Sequence, residues 1–310
     1  MPDTDTPQTD PQSTDPQTTD PVATLLDLLE IERLEINLFR GRGSGGETSK
    51  RIFGGQVIAQ ALSAAYHTVE GRACHSLHAY FIRPGDPEIP VIYEVDRARD
   101  GGSFTTRRVI AIQHGRQIFN LATSFQIDED GPSLQHPMPP GLPDPESLPS
   151  RAEVRADLAR RMEGRVGAQR RSDFLRDSPI EIREIAPYDL LDPTPASDSH
   201  AVWVRLLRPA GAPPWLQHCL LAYASDLHLL GSALRPLGES WLSGQVMTAS
   251  LDHAMWFHRP VNFDNWHLYQ MDAPNIGGAR GFCRGALYAQ DGTLVASVAQ
   301  EGLVRPIKRD

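Results

Sequence analysis

Three polar residues in the last third of the chain could act together. Tyr223-Ala224-Ser225-Asp226 sets a carboxylate at the predicted start of a helix. Ser and Asp are favoured N-caps and the positive end of a helix favours an anion, so capping is one reading of Asp226. Gln300 stands in the strand-like Val295-Ala296-Ser297-Val298-Ala299-Gln300-Glu301, and Ser250 opens Ser250-Leu251-Asp252-His253-Ala254-Met255-Trp256. Each alone reads as a solvated strand residue. Brought together, an acceptor, an amide and a hydroxyl can hold one water with its lone pair directed at a carbonyl carbon. Free N–H groups at the neighbouring helix start could stabilise the developing oxyanion. That chemistry is hydrolysis of an activated acyl group, with no metal, cofactor or covalent intermediate expected.

Other signals carry less. Gly41-Arg42-Gly43-Ser44-Gly45-Gly46 spells G-x-G-x-x-G, but Glu47-Thr48-Ser49-Lys50 is no apolar helix, and Glu47 stands where a phosphate loop needs Lys. No serine has the G-x-S-x-G frame. His75 and His78 lie three apart, which on a strand turns them to opposite faces, so no paired metal site is expected there. His75, His78, His253 and His258 read as structural hydrogen-bonding residues. Met255-Trp256-Phe257 and Tyr80-Phe81 read as core and sheet-face residues, and Arg83, Arg107, Arg108, Arg259, Arg280 and Arg284 as caps on the sheet.

The whole chain has 310 residues, is 40% hydrophobic and carries a formal net charge of -9. Residues 1–22 hold five acids and no Lys or Arg, so the remainder carries -9 + 5 = -4. A nucleic-acid partner is disfavoured, because phosphate neutralisation wants a basic surface. No stretch approaches the roughly 18 apolar residues of a membrane span, and no basic region precedes an apolar run at the N-terminus. Cys74, Cys219 and Cys283 are odd in number and far apart, as suits reduced thiols. Lys308-Arg309-Asp310 is not a peroxisomal S-K-L address, which leaves a cytoplasmic location as the expectation.

The elements that must position the polar residues can be read from periodicity and punctuation. Residues 1–22 repeat Asp among Thr, Pro and Gln and read as a disordered tail. Residues 131–178 read as a Pro-rich linker and a connecting helix, which opens on the capping box of Ser150 and Glu153 and has no expected part in the site. The flanking regions, 23–130 and 179–310, share one order: a helix and then four strands. The first has a short helix over Ala23–Arg33, then a strand, a close-packing helix from Phe53, and strands over His75–Arg83, Ile89–Val95, Ser103–Gln113 and Gln117–Ile127. The second has a helix over Leu220–Leu234 and strands over Ala249–Arg259, Trp266–Asp272, Ala279–Gln290 and Thr293–Arg305. Arg83-Pro84 and Arg259-Pro260 differ by 176, as do Gly101-Gly102 and Gly277-Gly278, and Arg108 and Arg284 (284 − 108 = 176). Past one insertion, Thr123 falls opposite Gln300 (177). The helices, at an offset of 172, set Gly54 opposite Asp226. The expectation is an α+β fold of two repeats, each a helix wrapped by a curved antiparallel sheet, joined into one long sheet.

Phe53-Gly54-Gly55-Gln56, His75-Ser76-Leu77-His78-Ala79-Tyr80-Phe81-Ile82-Arg83-Pro84-Gly85-Asp86, Tyr223-Ala224-Ser225-Asp226, Ser250 to Pro260 and Val295 to Gly302 resemble the motifs of the acyl-CoA thioesterase II family, in order, from about residue 24 to 305. The resemblance implies a double hotdog fold, an acyl-CoA substrate, a homo-oligomer and a catalytic set of Asp226, Ser250 and Gln300, all in the second half. Ser250 stands where the best-known bacterial members have Thr, which keeps the hydroxyl and loses the methyl that restricts its rotamer. The alternatives are a non-catalytic acyl-CoA binding protein or a hydratase or dehydratase of the same fold. The latter pairs Asp with His five residues on, and no Asp here is so followed.

Overall fold

The structure, a computed structural model, describes residues 20–44 and 51–307. The tail expected over 1–22 lies outside these except for its last three residues, of which Asp20 caps a helix and Pro21 and Val22 begin it. Asp20 caps α1 (Pro21–Leu29) by accepting the Val22 and Ala23 N–H groups at 3.1 and 3.3 Å, and Val22, Leu25 and Leu29 form its buried stripe. A Pro at the first helical position needs no N–H partner, so the helix starts earlier than its apolar spacing alone indicates. The short helix expected to reach Arg33 ends at Leu29, and β1 (Glu32–Glu35) follows.

The first half continues with β2 (Leu38–Gly41), α2 (Gly54–Tyr66), β3 (Ala73–Phe81), β4 (Val91–Asp100), β5 (Phe104–Gln113) and β6 (Arg116–Gln126). Between the halves lie α3 (Arg151–Met162) and α4 (Ala168–Leu175), the second of which has no strong apolar period in the sequence. The second half has β7 (Ile180–Glu184), β8 (His200–Leu206), α5 (Pro214–Ser225), β9 (Val246–Ser250), β10 (Asp252–Phe257), β11 (His267–Gly277), β12 (Arg280–Ala289) and β13 (Leu294–Pro306). All strands join one antiparallel sheet in the order β1-β2-β4-β5-β6-β3-β10-β13-β12-β11-β8-β7, with β9 beside β13. The seam between the halves is β3 on β10, where Leu77 faces Met255 and Ala79 faces His253.

The duplication is written into the irregularities of the sheet. The β4–β5 ladder breaks register between Asp96 and Arg99, and the β11–β12 ladder between Asp272 and Asn275, again 176 residues on. The same offset relates the breaks at Ala111/Ile112 and Leu287/Tyr288. Bulges bend and twist a strand, so two sheets bulged at matching positions curve alike.

Inside the curve, α2 is buried from Gly55 to Tyr66 between the sheet and α5. A helix buried all round must satisfy its own polar groups, and Gln60 does so by donating to Leu28 O at 2.6 Å and accepting from Tyr93 Oη at 2.8 Å. The second helix departs from its expected span of Leu220–Leu234. Pro214 starts α5 early, and the chain leaves it at Asp226. His228, with φ of 65°, then separates it from 3-10 segments over Leu229–Ala233 and Arg235–Leu237. The helix offset is therefore 214 − 54 = 160 by their first residues, not 172. The linker meets the outer face of the second half. Its Met138, Leu142 and Leu148 pack on Trp203, Trp266, Leu268 and Tyr288, and the Trp266 indole donates to Glu146 at 2.9 Å.

Candidate active site

Asp226 is the C-cap of α5, not the N-cap expected from Ser225-Asp226, because the apolar run that follows breaks at His228 instead of continuing as a helix. A carboxylate at a helix C-terminus meets the negative end of the dipole, so its partners must come from elsewhere. They come from three elements. Gln300 of β13 donates through Nε2 to Asp226 Oδ1 at 2.6 Å. Ser250, the last residue of β9, donates through Oγ to the same oxygen at 3.4 Å. The third donor is the Gly55 N–H of α2. The structure thus brings all three expected side chains together. It also supplies a helix start beside them, but that start belongs to the first half.

Gly54 and Gly55 are required by closeness. A Cβ on Gly54 would come within 2.6 Å of Asp226 Oδ2, and one on Gly55 within 2.3 Å of the Tyr223 carbonyl oxygen. Without side chains, the first turn of α2 can bring its unpaired N–H groups to the end of α5. The expectation that the site is built by the second half alone is therefore corrected. The three polar side chains are in the second half, and the helix start that faces them is in the first.

Burial pushes the Asp226 carboxyl up to about 6, and the donors Gln300, Gly55 and Ser250 hold it below where burial alone would leave it. Gln300 is wholly buried, and its Oε1 has no protein partner among the described residues. Behind Asp226, Tyr269 donates to the Ser225 carbonyl at 2.7 Å, and Ser225 Oγ pairs with His253 Nε2 at 2.9 Å. Burial lowers His253 to about 3, so it serves as a neutral support. Gly285 makes room for Tyr269, since a Cβ there would lie 2.4 Å from the ring. Tyr269 and Gly285 carry no motif of their own; they meet because β11 on β12 sets Met271, two residues on from Tyr269, opposite Gly285.

Asp226 and Ser250 open onto a chamber of about 880 Å³. Phe53, Val57, Phe81 and Phe119 form part of its wall from the first half, and Leu227, Leu230 and Leu234 from the second. Phe81, read as a sheet-face residue, is thus a wall of the chamber. The connecting helix departs further from expectation: Val154 and Leu158 of α3 and Phe174 of α4 also line it. Residues 154 and 158 are one turn apart, so both can face one cavity. The histidines keep their structural reading. His75 pairs with Ser124 at 2.8 Å and His258 with Ser297 at 2.9 Å, and His78 meets the edge of Trp256. Of the six arginines read as sheet caps, Arg83 lines the chamber, Arg107 is buried against Thr68 and Asp100, and Arg284 is paired with Asp272.

Two family models match, one described as acyl-CoA thioesterase over residues 176–303 and one as acyl-CoA thioesterase N-terminal domain over residues 44–126. Acyl-coenzyme A thioesterase 8 of Homo sapiens is 40% identical over 283 residues, covering 90% of this chain and 88% of its own. Acyl-CoA thioesterase 2 of Haemophilus influenzae is 36% identical, with 91% and 96% covered. The crystal structure of an acyl-CoA thioesterase II from Mycobacterium marinum superposes with a TM-score of 0.72 at 40% identity, covering 92% of this chain and 99% of that one. No helix among the described residues is long and apolar enough to cross a membrane. With both halves matched and the likeness running through nearly the whole length, the chain belongs to the acyl-CoA thioesterase II family, a double hotdog.

Proposed function

We propose that the chain hydrolyses fatty acyl-CoA to free fatty acid and CoA through a water held by Asp226, Ser250 and Gln300. The observation that carries this reading is the convergence of Gln300 and Ser250 on one oxygen of a half-buried carboxylate at the chamber wall. Asp226 takes a proton from the water as the water oxygen attacks the thioester carbonyl carbon. The unpartnered Gln300 Oε1 is the acceptor for the water's second hydrogen. The carbonyl oxygen, negative in the tetrahedral intermediate, faces the N–H of Gly54, which as the first residue of α2 has no intrahelical acceptor. The intermediate collapses with cleavage of the C–S bond, and the thiolate leaves with the proton that Asp226 had taken. The acyl chain occupies the apolar part of the chamber. A cytosolic location and assembly into a homo-oligomer belong to the same reading; light scattering on the purified protein tests the second.

Asp226→Asn tests the chemistry. Release of free thiol from acyl-CoA should fall on the order of 100-fold or more in a variant that keeps its circular dichroism and melting profile. Ser250→Ala should lose less, because its contact at 3.4 Å is the longer one. Near-normal turnover by folded Asp226→Asn would remove Asp226 from the mechanism. Binding of acyl-CoA without thiol release by the unaltered protein would favour a binding module.

A further inference from the structure

The chamber that reaches Asp226 is not apolar throughout. Arg51, Arg83, Arg151, Arg155 and Arg235 line it, against the carboxylates of Asp226, Glu184 and Glu239. Arg155 is answered by Asp177 at 2.7 Å. Arg235 has no ion-pair partner within 4 Å among the described residues, and Glu184 acts on it only from farther off. Its residue is only 9% exposed, its Nε donates to the Ser197 carbonyl at 3.1 Å, and its guanidinium lies over the Tyr188 ring, 4.8 Å from the centroid. No hydrogen bond or ion pair within 4 Å engages its two terminal nitrogens among the described residues. A guanidinium is charged at any physiological pH and has five donors, so one whose terminal edge opens onto the chamber is free to bind an anion there.

The acidic group that acts most on Arg235 is Glu184, which forms no ion pair with it within 4 Å. Tyr188, under the guanidinium, donates its N–H to Glu184 at 3.2 Å and its hydroxyl to the Glu239 carbonyl at 3.2 Å. Burial raises the Glu184 carboxyl toward its neutral form and lowers His200 to about 4 and His228 to about 3, so both imidazoles are neutral. A chamber meant for a hydrocarbon chain alone has no use for such a group.

We infer that Arg235, stacked on Tyr188 in the chamber wall, is a subsite for an anionic oxygen group, a carboxylate or phosphate, carried by the acyl-CoA. The inference rests on the thioesterase reading and adds a feature of the substrate to it. A planar carboxylate or a phosphate matches the fork of the guanidinium, and Tyr188 fixes the plane of that fork. Such a group has two sources in an acyl-CoA: the far end of an acyl chain that terminates in a carboxylate, or the phosphates of the CoA moiety.

Four thioesters separate the sources: a long saturated acyl-CoA, the acyl-CoA of equal length ending in a carboxylate, and the saturated and carboxylate-ended chains on pantetheine, which has no phosphate. If the acyl end supplies the anion, Arg235→Gln lowers the ratio of kcat/KM for carboxylate-ended over saturated substrate about tenfold or more, on CoA and on pantetheine alike. If CoA supplies it, the variant lowers the ratio of CoA over pantetheine ester by a similar factor for both chains. Both ratios unchanged within about twofold, in a variant that melts like the unaltered protein, would overturn the subsite. Should Arg235→Gln melt early, Arg235→Lys, which keeps charge and bulk but lacks the fork, is read by the same two ratios. A wild-type protein that releases no thiol from any ester would defeat the thioesterase reading instead, and the subsite would then stand or fall on the same ratios of Kd for the thioether analogues.

Discussion

At the scale of single residues, the site is governed by a competition over the charge of Asp226. Burial disfavours the carboxylate and pushes it up to about 6, while Gln300, the Gly55 N–H and Ser250 each donate to the ionised form and pull it down. If Asp226 is the base, as proposed, it must be ionised to accept a proton, and kcat/KM should fall on the acid side with a midpoint near pH 6 and a slope of one. Gln300→Leu removes the donor 2.6 Å from Asp226 Oδ1 and leaves the burial, so the acid limb should move to higher pH while the maximal rate falls. Steady-state thiol release from pH 4.5 to 9 reads both. A limb that stays in place in the Gln300 variant would show that another group titrates. The three side chains were legible in the sequence as polar residues in strand- and helix-like surroundings. What was not legible is the backbone that completes them: Gly54-Gly55 reads as a close-packing pair, and nothing in residue order says that the close neighbour is Asp226, 172 positions away.

At the scale of elements, α3 shows how a wall can hide in a polar helix. Its capping box is legible and present, with the Ser150 hydroxyl accepting from Glu153 N–H at 3.2 Å and the Glu153 carboxylate accepting from Ser150 N–H at 2.8 Å. The expectation of a plain connector failed because periodicity shows that a helix has an apolar side, not what that side faces. Val154 remains 46% exposed although it lines the chamber, since the chamber itself is open beside it. The Arg161–Asp189 ion pair at 2.6 Å ties the helix to the second half, and an exposed pair of this kind adds little stability. Leu158→Glu should therefore leave the fold intact and place a charge against the acyl chain. KM for a long-chain acyl-CoA should rise about tenfold more than KM for a short-chain one, because burying a carboxylate beside a chain costs most where the chain reaches it. Thiol release across a series of chain lengths checks this; equal changes at every length would place the chain elsewhere in the chamber.

At the scale of the whole molecule, the two repeats share one sheet and one core, and the site lies where they meet. The offset of 176 read from paired turns and arginines reappears as paired bulges, so the curvature of both sheets was legible. How the two curved halves close on each other was not, because α2 and α5 meet through helix faces whose residues are small or apolar and carry no partner code. One polar contact crosses that junction at the ends of the helices remote from Asp226. Tyr66 Oη of α2 accepts the Cys74 N–H at 2.8 Å and lies 2.7 Å from His218 Nδ1 of α5. Burial lowers His218 to about 4, so its ring is neutral and Nδ1 can accept the tyrosine proton. Tyr66→Phe would leave a backbone donor and a ring nitrogen unsatisfied in the core, at a cost of about 3 kcal/mol. Since one stranded group belongs to each half, that cost falls on the joined structure. The protein should still melt in a single transition, several degrees lower, with the thiol-release rate and circular dichroism lost at the same temperature. Two separate transitions, with only one displaced by the substitution, would show that the halves fold independently and that the pairing of Asp226 with the start of α2 is a docking event between finished domains.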